Sequence, residues 1–446
     1  MTAPLGRRLR TGVTAVAALS ALALTATACG TDGTSGKGSE GSGKGTITFW
    51  DNNGGVRTDI WKEIIAKFEK KYPDIKVKYV GVAAADVQSK YDTAIAGGKG
   101  LPDVGGVGAA MLASLVAQNA LAPVTDRIDS SGLKGKLDAS MVKNVEAAGG
   151  SGDELYSVPT SANMGILWYR TDLFKAAGLD APTTYDKFYA AATKLTDKKK
   201  NEFGFTFRGG AGSIAQALDM MYGQSGIDSF WNGDTTTVND PRNVSALEKY
   251  VALYNKVTPE ADLNNDFVKM VAEFDNGKIG MVQHNLGSYQ NHLDALGKDK
   301  FAGVAMPTDA SGVRTTVSNP VDGLGLFKNS TNKEAAWKFI EFAVSAAQNS
   351  AWNESAGAIP SNTEAQDDAW IASAGATKTG LDALTDSNTK IVQLPYYLPD
   401  WGTLSKSEVE PDFQKVVLGK ETAKEFLDMF AGKLNAAQAD WKKHSS

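Results

Sequence analysis

The chain has one cysteine, Cys29, in 446 residues, so no disulfide can form within it and packing alone must hold the fold. A chain of this length can build two domains with complete cores. The position of the cysteine adds a second constraint. A basic start with Arg7, Arg8 and Arg10 precedes a short apolar stretch, 13–28, which ends in Ala26-Thr27-Ala28 directly before Cys29. A positive start, a short apolar run and small residues before a cut site have the form of a secretory signal, here residues 1–28. The run is shorter than the roughly 20 apolar residues of a membrane-spanning helix and is interrupted by Thr and Ser. From Cys29, residues 29–45 read as a flexible tether of Gly, Ser, Thr, Lys and acidic residues. Gly38 and Gly43-Lys44 imitate a phosphate-binding loop. However, Gly45 stands where Ser or Thr would hold magnesium, and the segment precedes a strand instead of following one.

The leader holds three of the 46 Lys and Arg and none of the 51 Asp and Glu, so the remainder is more acidic than the net charge of −5 of the whole chain. That balance argues against nucleic acid and against a polybasic membrane-binding surface.

After the tether, strand-like and helix-like patterns alternate. Thr46-Ile47-Thr48-Phe49-Trp50 reads as a strand that breaks at Asp51-Asn52-Asn53-Gly54-Gly55. Ile60, Trp61, Ile64, Ile65 and Phe68 then recur at helical spacing up to Pro73. Residues 75–79 alternate as a half-buried strand, 87–96 form a helix, and Pro102-Asp103-Val104 leads into a third strand. Further on, 165–170, 203–207, 279–283 and 304–306 read as strands, with helices over 188–195, 244–256 and 267–276 between them. Thr331 with Glu334, and Thr422 with Glu425, have the spacing of capping boxes. This alternation predicts an α/β chain with parallel sheets and no internal repeat.

Two resemblances sharpen the reading. A lone cysteine at the cut site followed by a tether resembles the lipobox of bacterial lipoproteins. It implies that Cys29 is acylated, palmitate included, and anchors an exported chain to the outer face of the cell membrane. In the rest of the chain Ile47-Thr48-Phe49-Trp50, Lys67-Phe68-Glu69 before Pro73, and Pro102-Asp103-Val104 follow in order. Leu167-Trp168-Tyr169-Arg170-Thr171-Asp172-Leu173-Phe174, Phe274-Asp275-Asn276-Gly277-Lys278-Ile279-Gly280-Met281 and Gly357-Ala358-Ile359-Pro360-Ser361 continue the series. In these segments the chain resembles the extracellular solute-binding lipoproteins of bacterial ABC importers, of the carbohydrate-binding, maltose-binding-protein-like kind. The likeness implies a two-lobed periplasmic-binding-protein-like fold, each lobe a parallel-rich sheet flanked by helices. Three crossings are expected, near 157–159, 308–317 and 357–361. Lobe 1 would hold 45–157 plus 315–356, and lobe 2 would hold 160–308 plus 360–446. The solute would lie between them, and the closed form would meet the membrane permease subunits of the importer. No cofactor or metal is implied.

A sugar offers hydroxyls in the plane of its ring and a weakly apolar face, so its receptor needs amide or carboxylate partners and an aromatic platform. In open α/β sheets such sites lie beyond the carboxyl ends of strands. That rule selects Asn52 and Asn53 after the first strand, Arg208 after 203–207, Asn285 after 279–283 and Asp322 before the Gly-rich strand that follows it. The resemblance adds Asn163, after the first crossing, and Tyr289 as platform. It also adds Trp401 in the cleft, within the cluster Pro395-Tyr396-Tyr397-Leu398-Pro399-Asp400-Trp401, where Tyr397 is a further candidate. His284 reads as structural, and Trp61, Trp168 and Trp337 as packing.

No catalytic residues are assigned. The chain has no G-x-S-x-G elbow and no H-E-x-x-H, and three histidines give little material for a metal site. Gly210-Ala211-Gly212-Ser213-Ile214-Ala215 matches a dinucleotide fingerprint but lacks the acidic residue that should end the next strand. A secreted glycoside hydrolase needs only two carboxylates across a cleft. That alternative stays open, as does a binding lipoprotein for a non-sugar solute.

Overall fold

The computed structural model describes residues 40–444 except Val56, Ala84, Ala85 and Ser151. The leader, Cys29 and the tether up to residue 39 lie outside the described residues.

The first sheet grows from the strand Gly45–Asp51, whose Ile47 and Phe49 are fully buried. It pairs in parallel with Ile75–Gly81 along its whole length and with Val104–Gly106 on its other side. Helix Thr58–Lys71 buries Trp61, Ile64, Ile65 and Phe68, the stripe expected of an amphipathic helix laid on a sheet. Three more strands complete the sheet in the order Ile359–Pro360, Val158–Ala162, Asp322–Leu326, Val104–Gly106, Gly45–Asp51, Ile75–Gly81. All three added strands pair antiparallel.

The second sheet centres on Gly165–Arg170, flanked by Met281–Asn285 and Phe301–Ala305, both antiparallel to it. The parallel-rich expectation is therefore corrected: the sheets are mixed, and the named strands of the second are antiparallel. Met281–Asn285 and Phe301–Ala305, joined through helix Tyr289–Leu296, run the same way on either side of the central strand, so both oppose it. The expected parallel strand 203–207 touches this sheet only at single bridges, Phe203 to Ile279 and Thr206 to Val282. Its backbone is held against helix Tyr185–Lys194, and a Cβ on Gly204 would lie 1.9 Å from the Ala192 carbonyl oxygen.

The pairings also move the crossings. Val158–Ala162 belongs to the first sheet, so the chain passes to the second lobe at Asn163-Met164 instead of 157–159. Arg314–Val317 pairs with Thr389–Val392 in a separate ribbon against helix Ser213–Ser225, which places the return at 318–321. Ile359–Pro360 is likewise still in the first sheet, and the last passage follows it before helix Gly375–Thr385, which packs on Phe301–Ala305. The C-terminal helices Glu410–Val417 and Ala423–His444 pack on Ser213–Ser225 and Pro241–Val251 in the second lobe.

The end of the tether is not free. Glu40 pairs with Arg127, its carbonyl accepts the Glu334 N–H at 3.0 Å, and Asn332 Nδ2 donates to the Lys44 carbonyl at 2.6 Å. These contacts replace the capping box expected of Thr331 and Glu334. Helix Lys333–Ala343 starts after Asn332 without a side-chain cap, and Glu334 turns to Arg127 at 3.0 Å. The second capping box forms: Thr422 N–H donates to Glu425 at 3.0 Å and Glu425 N–H to Thr422 Oγ1 at 3.1 Å. Among the described residues no helix is long and apolar enough to cross a membrane.

Candidate functional site

Where the second sheet meets the crossing strands, a cavity of about 420 Å³ opens. Most of its wall comes from the second lobe. Gln283, His284 and Asn285 end the strand Met281–Asn285, Arg208 follows 203–207, and Gly212, Ala215 and Gln216 form the start of helix Ser213–Ser225. The crossing contributes 317–320, the C-terminal part contributes Tyr396, Trp401 and Lys406, and Ala110 enters from the first lobe.

Asp219 anchors this arrangement. It is fully buried, and its carboxylate accepts Thr316 Oγ1 at 2.9 Å, Val317 N–H at 3.1 Å and Gln283 Nε2 at 2.8 Å. One side chain thus ties a helix to a strand end and to the crossing. Burial outweighs these donors and raises its pKa to about 6. Gly165 is required beside it, since a Cβ there would stand 2.3 Å from Asp219 Oδ2. Gln216 is a second organiser: it accepts Arg208 N–H at 2.7 Å and Tyr250 OH at 2.6 Å and donates to the Gln283 carbonyl at 2.8 Å.

Arg208 extends over the ring of Phe267, 5.9 Å from its centroid, and donates Nε–H to the Ala211 carbonyl. Burial lowers its pKa, with Glu410 and Asp266 acting in the opposite sense, and a guanidinium in such a place stays charged. His284 stacks parallel to Phe267 at 5.7 Å, and its Nδ1 is buried without a partner among the described residues. Burial first, then the Arg208 charge, pushes its pKa down to about 3, so the ring is neutral at pH 7. Trp401 is 5 % exposed, set edge-on to Phe230 and to Tyr396, and Tyr396 OH donates to the Ser318 carbonyl at 2.8 Å.

The residues selected from the sequence divide into three groups. Arg208, Asn285 and Trp401 line the cavity. Asn52 and Asp322 lie together at the carboxyl edge of the first sheet, beside Gly106 and Gly108 and so next to Ala110. Burial raises the Asp322 carboxyl, while Arg57 and Asn52 pull it down. Asn53 closes the turn instead, its N–H donating to Asp51 Oδ1 at 3.1 Å and its amide to Asn52 at 3.2 Å.

The remaining three are displaced from the cavity. Asn163 borders a separate cavity of about 50 Å³ on the far side of 317–319, with Oδ1 buried and unpartnered among the described residues. Tyr289 packs on Trp168 and Phe301 and borders another surface hollow. Asn285 caps the turn Leu286–Ser288 through Gly287 N–H at 3.0 Å, which swings the chain away before Tyr289. Tyr397 faces the C-terminal helix, its ring tilted against Trp441 at 4.6 Å between centroids and its hydroxyl donating to Gln438. Its neighbour Tyr396 occupies the cavity wall in its place. Asp219, Gln216 and Lys406 also escaped the sequence reading. Asp219 and Gln216 look inward from a helix, where the strand-end rule does not search.

The assembled groups offer open amide, guanidinium and ammonium donors beside aromatic surface, an arrangement suited to holding a polar solute reversibly. Among the described residues no group of three or more His, Cys, Asp or Glu is placed to hold a metal ion.

Comparison with known proteins agrees in fold and class. The chain is 26% identical over 274 residues to the lactose-binding protein of Rhizobium radiobacter, covering 58% of this chain and 60% of that protein. It is 22% identical over 430 residues to the sn-glycerol-3-phosphate-binding periplasmic protein UgpB of Salmonella typhimurium, covering 90% and 94%. The structure superposes on maltose-bound MalE3 of T. maritima with a TM-score of 0.75 at 23% identity, covering 88% of this chain and 99% of that one. It superposes on the GacH receptor of Streptomyces glaucescens with a TM-score of 0.75 at 21% identity, covering 89% and 99%. The two-lobed periplasmic-binding-protein fold is thereby established. The family model described as bacterial extracellular solute-binding protein matches residues 54–350, and the chain belongs to that family.

Proposed function

We propose that this chain captures a sugar or oligosaccharide outside the cytoplasm and delivers it to the permease of an ABC importer, held at the outer face of the membrane by lipid on Cys29. The observation that carries the sugar reading is the cavity wall itself. The Trp401–Tyr396 ring pair stands in the same 420 Å³ space as the Asn285 amide and the Arg208 guanidinium. Rings meet the face of a sugar while amides and cations meet its hydroxyls. Asn52 and Asp322 are proposed to join from the first lobe when the lobes close by a hinge motion. Relatives are named for lactose, mannitol and sn-glycerol 3-phosphate, which supports a small polyhydroxylated solute without naming one. Asn163, Tyr289 and Tyr397 act on the fold around the site instead of on the solute.

The test is a thermal-shift and calorimetric screen of the chain from Gly30 onward against mono- and oligosaccharides, since a ligand bound only by the folded state raises its melting temperature. Binding by one sugar class, weakened in Trp401→Ala, with the sugar recovered unchanged, supports capture. Shortened sugar products mean a hydrolase, and shifts only with amino acids or polyamines mean another solute. Labelled palmitate incorporated into the full chain and lost in Cys29→Ala tests the anchor.

A further inference from the structure

Building on the sugar reading, we propose that the solute is an anionic sugar, bearing a carboxylate or a phosphate, and that Arg208 and Lys406 receive its charge. Both cations line the cavity. Among the described residues neither has a carboxylate within the 4.0 Å of an ion pair. Arg208 is fixed in place by its Nε–H bond to Ala211 and by the Phe267 ring, while its two terminal nitrogens bond to no described residue. Arg208 is half-buried with Glu410 and Asp266 acting on it only from beyond ion-pair distance, so a solute anion bonded to its free nitrogens would offset desolvation that these carboxylates leave uncompensated. A bidentate oxyanion also matches the guanidinium fork better than a hydroxyl does.

Among the described residues no carboxylate of the cavity wall is paired with either cation. Asp219 is the one carboxylate among the described residues of its wall; its oxygens already accept three protein donors, and above pH 6 its charge opposes an incoming anion. His284, neutral, adds no charge of its own. Glu410 and Asp266 are the carboxylates that compete for Arg208. Glu410 accepts the Gly212 N–H at the start of helix Ser213–Ser225 and acts on Arg208 from beyond ion-pair distance. Glu410 therefore weakens the pull of Arg208 on an incoming anion.

The experiment is isothermal titration of the chain from Gly30 onward with matched probes: glucose, glucuronate and glucose 6-phosphate, then galactose, galacturonate and galactose 6-phosphate. The expected result is an acidic probe bound at least about tenfold more tightly than its neutral parent, as charge-assisted bonds to a half-buried guanidinium require. That ratio should fall in Arg208→Gln and in Lys406→Gln, persist in part in Arg208→Lys, and rise in Glu410→Gln. The carboxylate and phosphate arms tell which anion is read. A neutral parent bound as tightly as its acidic partners overturns the anionic inference and leaves the sugar reading standing. Failure of every sugar, acidic and neutral, overturns both.

Discussion

Replacing Asp219 by Asn tests the energetic account of the crossing. Asp219 is fully buried, and its pKa stands near 6 against an ordinary 3.8. Folding therefore costs more when the group is charged. The gap is worth about 3 kcal/mol on the usual conversion of a pKa difference to free energy. The sign follows from linkage. Below pH 3.8 the group is protonated in both states and imposes no penalty. Between 3.8 and about 6 the unfolded chain loses the proton while the folded chain keeps it, and stability falls. Above 6 the full penalty is present. Asn keeps an oxygen for Thr316 and Val317, and a flip of the Gln283 amide presents its oxygen to the new NH₂, so the geometry survives without the charge. Urea unfolding of both proteins at pH 4, 5, 6 and 7.5 isolates this group, because other titrations cancel in the difference. Asp219→Asn should gain on the native protein by up to about 3 kcal/mol between pH 4 and pH 7.5. A difference that stays flat over this range refutes the account. One that moves in the opposite direction shows that the three donors outweigh burial and hold the charged form.

Further outcomes follow from single contacts. Gly165→Ala forces a methyl to within 2.3 Å of Asp219 Oδ2 and should cost about 1–3 kcal/mol by urea unfolding. Paired with Asp219→Ala, the loss should be less than additive. Tyr397→Phe removes the bond to Gln438, costing about 1 kcal/mol of stability with no change in solute affinity. Tyr396→Phe, which frees the Ser318 carbonyl, should weaken solute binding measured by calorimetry. Arg127→Ala releases Glu40 and should speed proteolytic cutting within 40–44 while solute affinity is kept. The pair is partly exposed and should contribute no more than about 1 kcal/mol to global stability.

The helices were the most legible part of the fold, because their signals are local. The Trp61, Ile64, Ile65, Phe68 stripe and the Thr422–Glu425 box each lie within a few residues and need no distant partner. Thr331–Glu334 has the same spacing but did not form a box, since Glu40 and Arg127, remote in sequence, took its partners. The strands were legible as strands and not as pairings. Nothing within Val158–Ala162 says that it joins the first sheet, because its partners Asp322–Leu326 and Ile359–Pro360 lie more than a hundred residues away. Each crossing was therefore read a few residues early.

Within the cavity, the strand-end rule reached Arg208 and Asn285 because both directly follow strand-like segments, whose ends the fold directs to one place. It missed Asp219 and Gln216, which enter from a helix, and nothing in a helical pattern distinguishes a polar residue facing a cavity from one satisfied in the core. The aromatic cluster shows the limit most clearly. Tyr396 and Tyr397 are adjacent and chemically identical, so composition cannot rank them. The choice was made by the partners each hydroxyl met, the Ser318 carbonyl at the crossing for Tyr396 and Gln438 on the C-terminal helix for Tyr397. A loop sequence specifies that rings will be present. Only the packing of distant segments decides which ring faces the solute.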